Sequence, residues 1–168
     1  MRMLSPDSSI GYPCATHTGN ISRLGLPSYM WLVEANTGVQ AACIVTNNST
    51  TGTAKNHSSD YCATQFSGPL TIAASFNRTS WTLKGKVIGT EQRAFNNLHG
   101  HKTSDVRNRI GLTAYGPNIN QQRDARFGRS SELPGEDPYL SGQYARHMVR
   151  GMQQKDGNSD NGGRHPLV

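Results

Sequence analysis

Arg123, Asp124, Arg126, Arg129, Glu132, Glu136 and Asp137 fall within 15 residues, directly after an apolar run. Arginine carries a rigid fork of donors that stays charged even when buried. Several such forks set among acids can cross-brace a loop and leave one or two guanidiniums facing a ligand. A polyhydroxylated ligand or an anion suits that device. The same residues read equally well as a salt-bridge network that only orders the loop. His99 and His101 are the other pair of chemically able side chains, but no third ligand stands at metal-like spacing, so residues 99–109 read as a solvated polar loop.

The elements around the charged loop determine where it points. Residues 110–119, "IGLTAYGPNI", read as a strand that delivers it. A helix follows, with Asp137 as N-cap and Pro138 in its first turn, and Leu140, Tyr144, Met148 and Met152 mark its buried face. Upstream, residues 29–33 and 68–75 read as two further strands. Between 68–75 and the third strand lies a helix capped by Asn77 and ended by Gly100. Its stripe is Trp81, Ile88 and Phe95, widened by Leu83, Val87, Ala94 and Leu98. Gly85 and Gly89 on that helix admit the close approach of another backbone. Long helices between apolar strands predict parallel βαβ units, an α/β fold. In parallel barrels the working loops follow the C-terminal ends of strands, and the Arg-rich stretch lies in such a place.

The 168 residues suffice for one domain. Only 34% are hydrophobic and 17% charged, with Gly, Asn, Ser and Thr making up the difference, so long polar loops are expected. No apolar run is long enough to span a bilayer, so no membrane partner is expected. The net charge of +6 comes from scattered Lys and Arg with few interleaved aromatics, which reads as a basic surface rather than a nucleic-acid interface, so no nucleic-acid partner is expected. Cys43 and Cys62 flank the apolar-poor stretch 44–60. They either staple it with a disulfide or remain two free thiols, and Cys14 is left over. Sequons at Asn20, Asn47, Asn48, Asn56 and Asn77 point to secretion, although residues 1–12 lack the apolar core of a signal peptide.

Three stretches, in order, carry a resemblance. "RLGLPSYMWLVEANTGV" is similar to R-L-G-L-P-x-Y-x-W-x-x-E-A-L-H-G-V. "FSGPLTIAASFNRTSW" with "TEQRAFNN" is similar to F-P-x-P-x-x-x-A-A-S-F-N followed by T-E-x-R-A-x-N-N. "GPNINQQRDARFGRSSELPGEDP" is similar to P-N-I-N and R-D-P-R-W-G-R-x-x-E-x-P-G-E-D-P. These are patterns of the N-terminal barrel of glycoside hydrolase family 3, in its β-xylosidase and β-glucosidase branch. The chain departs from them at Ala125, Phe127 and Thr37, where the patterns have Pro, Trp and His.

The resemblance implies a partial (β/α)8 barrel, roughly the first half, over residues 23–154. An irregular segment, 1–22, precedes it, and a tail, 155–168, leads to a missing strand. It implies that Arg129 and Glu34 bind hydroxyls of the innermost sugar, that Glu132 lines the same pocket, and that Arg123, Asp124 and Arg126 brace the loop. The family is a retaining glycosidase whose two catalytic carboxylates stand about 5–5.5 Å apart. Its nucleophile lies in S-D-W late in the barrel and its acid/base in a following domain. Neither has a match here, since "SDY" at Ser59, Asp60 and Tyr61 comes far too early. The expectation is therefore a fragment of a secreted, exo-acting β-xylosidase or β-glucosidase. It would hold sugar contacts without catalytic carboxylates and need no cofactor. The alternative is a non-catalytic or decayed carbohydrate-binding product.

Overall fold

The computed structural model describes residues 17–27, 29–39, 43–44, 61–99 and 110–153. The readings placed on 1–16, 45–60, 100–109 and 154–168 lie outside the described residues, as does the side chain of His99. So do Cys14, His101 and the sequons at Asn47, Asn48 and Asn56.

Among the described residues, six two-residue strands, three α-helices and two short 3-10 turns make up the regular structure. β1 (His17–Thr18) pairs antiparallel with β2 (Tyr29–Met30). β3 (Val33–Glu34) pairs in parallel with β6 (Ala114–Tyr115), with Glu34 opposite Tyr115. β4 (Cys43–Ile44) pairs antiparallel with β5 (Tyr61–Cys62), setting Cys43 opposite Cys62, and Cys62 is disulfide-bonded. The helices are α1 (Pro69–Ala73), α2 (Arg78–His99) and α3 (Pro138–Gln153).

Two strand expectations are corrected. Segment 68–75 forms α1 rather than a strand. Gly68 ends the extended chain and Pro69 is pre-set for the first turn of a helix, and a short apolar run does not distinguish the two states. The run 29–33 is divided between β2 and β3, which belong to different sheets, and Trp31 and Leu32 between them are exposed. The strand expected over 110–119 is regular only at Ala114–Tyr115.

The parallel pair of β3 and β6 is joined by a crossover that contains α2, so its C-terminal ends share one edge. Its contact is close: a methyl at Gly116 would meet the Ala35 carbonyl carbon at 2.7 Å. Side chains of α2 hold the approach to β6, since Gln92 Nε2 donates to the Gly111 carbonyl at 2.9 Å and Asn96 Nδ2 to the Ile110 carbonyl at 2.7 Å. Tyr29 Oη, within hydrogen-bond distance of Thr113 Oγ1 (2.9 Å), accepts from the Leu112 amide at 3.2 Å.

α2 and α3 pack along each other through Trp81, Ile88 and Phe95 on one side and Tyr144, Met148 and Met152 on the other. Val33, Ala35, Val39 and Ile110 complete the main core from the strand layer. The expected stripe is corrected at Leu83, which is 57% exposed, and at Ala94, also exposed; the buried face instead includes Lys84 and Gln92. Trp81 Nε1 reaches the Ile72 carbonyl at 2.8 Å and so locks α1 onto α2.

Both helix starts use their caps. Asn77 Oδ1 accepts from the Ser80 amide at 3.1 Å, and Asp137 Oδ2 from the Leu140 amide at 2.6 Å. Replacing Asp137 with alanine is expected to cost about 1 kcal/mol. Thermal unfolding should place Asp137→Asn, which keeps an accepting oxygen, within a few tenths of the parent. Equal losses in both variants would contradict the cap's role.

Candidate functional site

The C-terminal ends of β3 and β6 bring together residues that are far apart in sequence. Glu34 closes β3, and its Oε1 accepts the Asn36 amide at 2.8 Å. Asn36 is buried, and its side chain bridges two segments: Oδ1 accepts the Asn118 amide at 3.2 Å, and Nδ2 donates to the Glu132 carbonyl at 3.4 Å. Asn118, three residues past β6, donates through Nδ2 to Glu132 Oε2 at 2.8 Å. Glu132, in the 3-10 turn Ser130–Glu132, takes both arms of the Arg129 guanidinium, from Nε at 2.8 Å and from Nη2 at 2.6 Å.

The result is a continuous network from Glu34 through Asn36 and Asn118 to Glu132 and Arg129. Arg129, Glu132 and Asn118 line an open cleft of about 310 Å³ with Ile119, Asn120, Phe127 and Leu133. The bidentate pair is the strong geometry for guanidinium and carboxylate. Hydrogen bonds from Arg129, followed by its charge and the Asn118 amide, hold the Glu132 carboxyl below the usual carboxylate range. Arg129 is correspondingly raised, first by its hydrogen bonds to Glu132, then by the charge of Glu132, and least by that of Glu34. Its side chain is 66% exposed, against 34% for Glu132, so the guanidinium is held on one edge and open on the other.

The neighbouring charges behave differently. Asp124 accepts from Arg126 three times, from the amide at 2.9 Å, Nε at 3.0 Å and Nη2 at 2.7 Å, and this lowers the Asp124 carboxyl. The pair closes its own turn on the surface. Arg123, expected among the bracing residues, makes no ion pair with a described residue and lines a separate cleft with Asp124 and Phe127. The expected single cross-braced loop is therefore two local pairs, and only the pair of Arg129 and Glu132 is tied to the strand ends.

The contacts that sequence reading missed are Asn36 and Asn118. Asn118 stands in the quoted P-N-I-N stretch, and Asn36 lies two residues past the strand that ends in Glu34. An asparagine just past each of two parallel strands is the signal that could have found them. Among the described residues, no three His, Cys, Asp or Glu side chains converge as metal ligands. No described helix is long and apolar enough to cross a membrane.

At this strand edge the half-held guanidinium of Arg129 opens onto the cleft. The chain is similar to glycosidases. It is 42% identical over 144 residues to β-xylosidase/α-L-arabinofuranosidase 2 of Medicago sativa subsp. varia, covering 84% of this chain and 16% of the relative. Against β-D-xylosidase 3 of Arabidopsis thaliana it is 39% identical over 158 residues, 94% of this chain and 18% of the relative. Against the probable exo-1,4-β-xylosidase bxlB of Aspergillus terreus it is 40% identical over 133 residues, 79% of this chain and 15% of the relative. The chain thus spans about a sixth of the length of the curated relatives it matches. No family model matches it.

Proposed function

We propose that the chain is a segment of a secreted, exo-acting β-glycosidase of glycoside hydrolase family 3, in the β-xylosidase and β-glucosidase branch. In this reading it forms roughly the first half of a (β/α)8 barrel. The network from Glu34 to Arg129 grips the terminal sugar there, and the substrate is a β-glycoside or oligosaccharide.

The observation that carries this reading is the bidentate pair of Arg129 and Glu132, tied through Asn118 and Asn36 to the ends of two parallel strands. Parallel barrels build their sites at that end. A guanidinium fixed along one edge keeps its remaining N–H groups aimed at a ligand, and hydroxyl oxygens accept from it without a charge of their own. Trp31, Leu32, Tyr115, Ile119 and Phe127, exposed at or near the strand ends, fit an edge that further barrel strands would cover. The disulfide at Cys62 and the exposed sequon asparagine Asn20 support an oxidising, secretory route.

Glu132 does not serve as the acid of a retaining pair. Its carboxylate already accepts three donors and is held ionised, whereas a general acid must carry a proton near neutrality. In this reading the catalytic carboxylates lie in the part of the enzyme outside the aligned sixth. Titration of the chain with methyl β-D-xyloside should shift the backbone amides of Asn118 and Ser130–Glu132. Arg129→Ala should weaken that response about tenfold or more, as expected for a lost charge-assisted contact. The chain alone should leave an aryl β-xyloside unhydrolysed. Silent amides, or turnover that disappears in Arg129→Ala, would overturn the proposal.

A further inference from the structure

A second cleft, of about 380 Å³, opens between the start of α2 and the start of α3, and none of its residues belongs to the Arg129 network. Trp81 forms its floor, and Phe76, Tyr139, Arg78, Asp137 and Gln143 stand around it. Three features set it apart. Phe76 and Tyr139 are 72% and 66% exposed, so two large ring faces flank one opening. Phe76 also lies at φ 52°, the left-handed region that a bulky residue rarely adopts, in the turn between α1 and the Asn77 cap. Finally, the Arg78 and Gln143 side chains and the Tyr139 hydroxyl form no hydrogen bond or ion pair with any described residue, whereas Asp124 and Arg126, and Arg129 and Glu132, are paired in the charged loop.

Flat apolar faces beside a planar guanidinium, a planar amide and a hydroxyl match a sugar ring, which has an apolar C–H face and a rim of hydroxyls. Asp137 facing into the same cleft disfavours an anionic ligand, and the polar walls disfavour a lipid. The volume accommodates a ring of this kind. α1 touches both the Ser130–Glu132 turn and α3, so one short helix contacts an element of each site.

We infer that the cleft between Phe76 and Tyr139 is a second carbohydrate subsite, which takes a ring of a neutral β-linked oligosaccharide away from the ring held at Arg129. This rests on the reading of the chain as a glycosidase segment.

The test is amide-resolved titration of the isotopically labelled chain with xylohexaose, set beside methyl β-D-xyloside. Xylohexaose should shift amides over 76–81 and 139–143 saturably. Tyr139→Ala should weaken this response about tenfold without lowering the melting temperature, with Arg78→Gln as a second variant. Arg129→Ala should leave it intact. Silence at the cleft up to about 20 mM sugar, or a response unchanged in both Tyr139→Ala and Arg78→Gln, overturns the inference. Silence at the cleft with a xyloside response at Ser130–Glu132 removes the second subsite alone. The reverse pattern supports the subsite and removes the Arg129 reading.

Discussion

Gly85→Ala is expected to lower stability by about 3 kcal/mol, although alanine is the better helix former. At Gly85 a methyl group would fall on the Met148 carbonyl oxygen, with the Met152 amide nitrogen 3.1 Å away. Gly89 stands in the same relation to the Met152 carbonyl, and Gly151 to that of Thr82. These obstacles are backbone atoms of a packed helix, so relief requires α2 and α3 to separate. Separation would loosen the contacts of Ile88, Met148 and Met152 together. Gly142, on α3 with nothing within 4 Å, is the control. There the same change should raise stability by about 1 kcal/mol, through helix propensity and a less flexible unfolded chain. Urea denaturation of the two variants measures the difference. A loss below about 1 kcal/mol for Gly85→Ala would mean that the helices do not meet at the glycines.

The second large effect comes from Lys84. It is fully buried on α2, and its Nζ donates to the Ser67 carbonyl at 3.0 Å and to Tyr144 Oη at 3.4 Å. Burial lowers its pKa to about 8. The unfolded lysine, with an ordinary value near 10.4, binds its proton more tightly, so between these two values the unfolded state holds more protons. Stability attributable to Lys84 therefore rises with pH from about 8 to about 10.4. That contribution is lost as pH falls back through 8, and the full span is of order 3 kcal/mol. Tyr144 acts oppositely: burial raises its phenol, so its contribution is complete below about 10 and declines above that. The expected profile climbs from pH 8 to about 10 and then turns down as the Tyr144 contribution is lost. Lys84→Met should remove the climb and stabilise the chain near neutrality by about 2 kcal/mol, the apolar side chain leaving Ser67 to solvent. Denaturant midpoints across this pH range decide the matter, and a parent profile that is flat from 8 to 10 would contradict the burial of a charged Lys84.

The pairing of Arg129 with Glu132 was legible in sequence because it is local. Three residues apart, a guanidinium and a carboxylate need only one tight turn to meet. Asp124 and Arg126 meet for the same reason, two residues apart. The rest of the site was not legible in this way. Asn36 and Asn118 are 82 residues apart, and nothing in either one's neighbourhood specifies the other. They meet because β3 and β6 pair in parallel with Glu34 opposite Tyr115, and that register exists only once the crossover has folded. Arg123 shows the converse. A charge beside charges suggested a brace, yet its direction followed from the path of the loop.

Among the elements, α2 and α3 were determined by their own residues: Asn77 and Asp137 as caps, the spacing of Trp81, Ile88 and Phe95, and that of Tyr144, Met148 and Met152. Helix signals are short-range and repeat over many turns, so they add up along one segment. The strands had no such redundancy. Segment 68–75 became a helix, and 29–33 was divided between two sheets, because a run of a few apolar residues suits either state until a partner supplies its hydrogen bonds. Tertiary structure also turned Lys84 inward and Leu83 outward, a choice of helix face that depended on where α3 came to lie. Local chemistry thus sufficed for caps, periodicity and the guanidinium pair. The convergence of Glu34, Asn36, Asn118 and Arg129 on one edge required long-range pairing, which no single stretch of the chain contains.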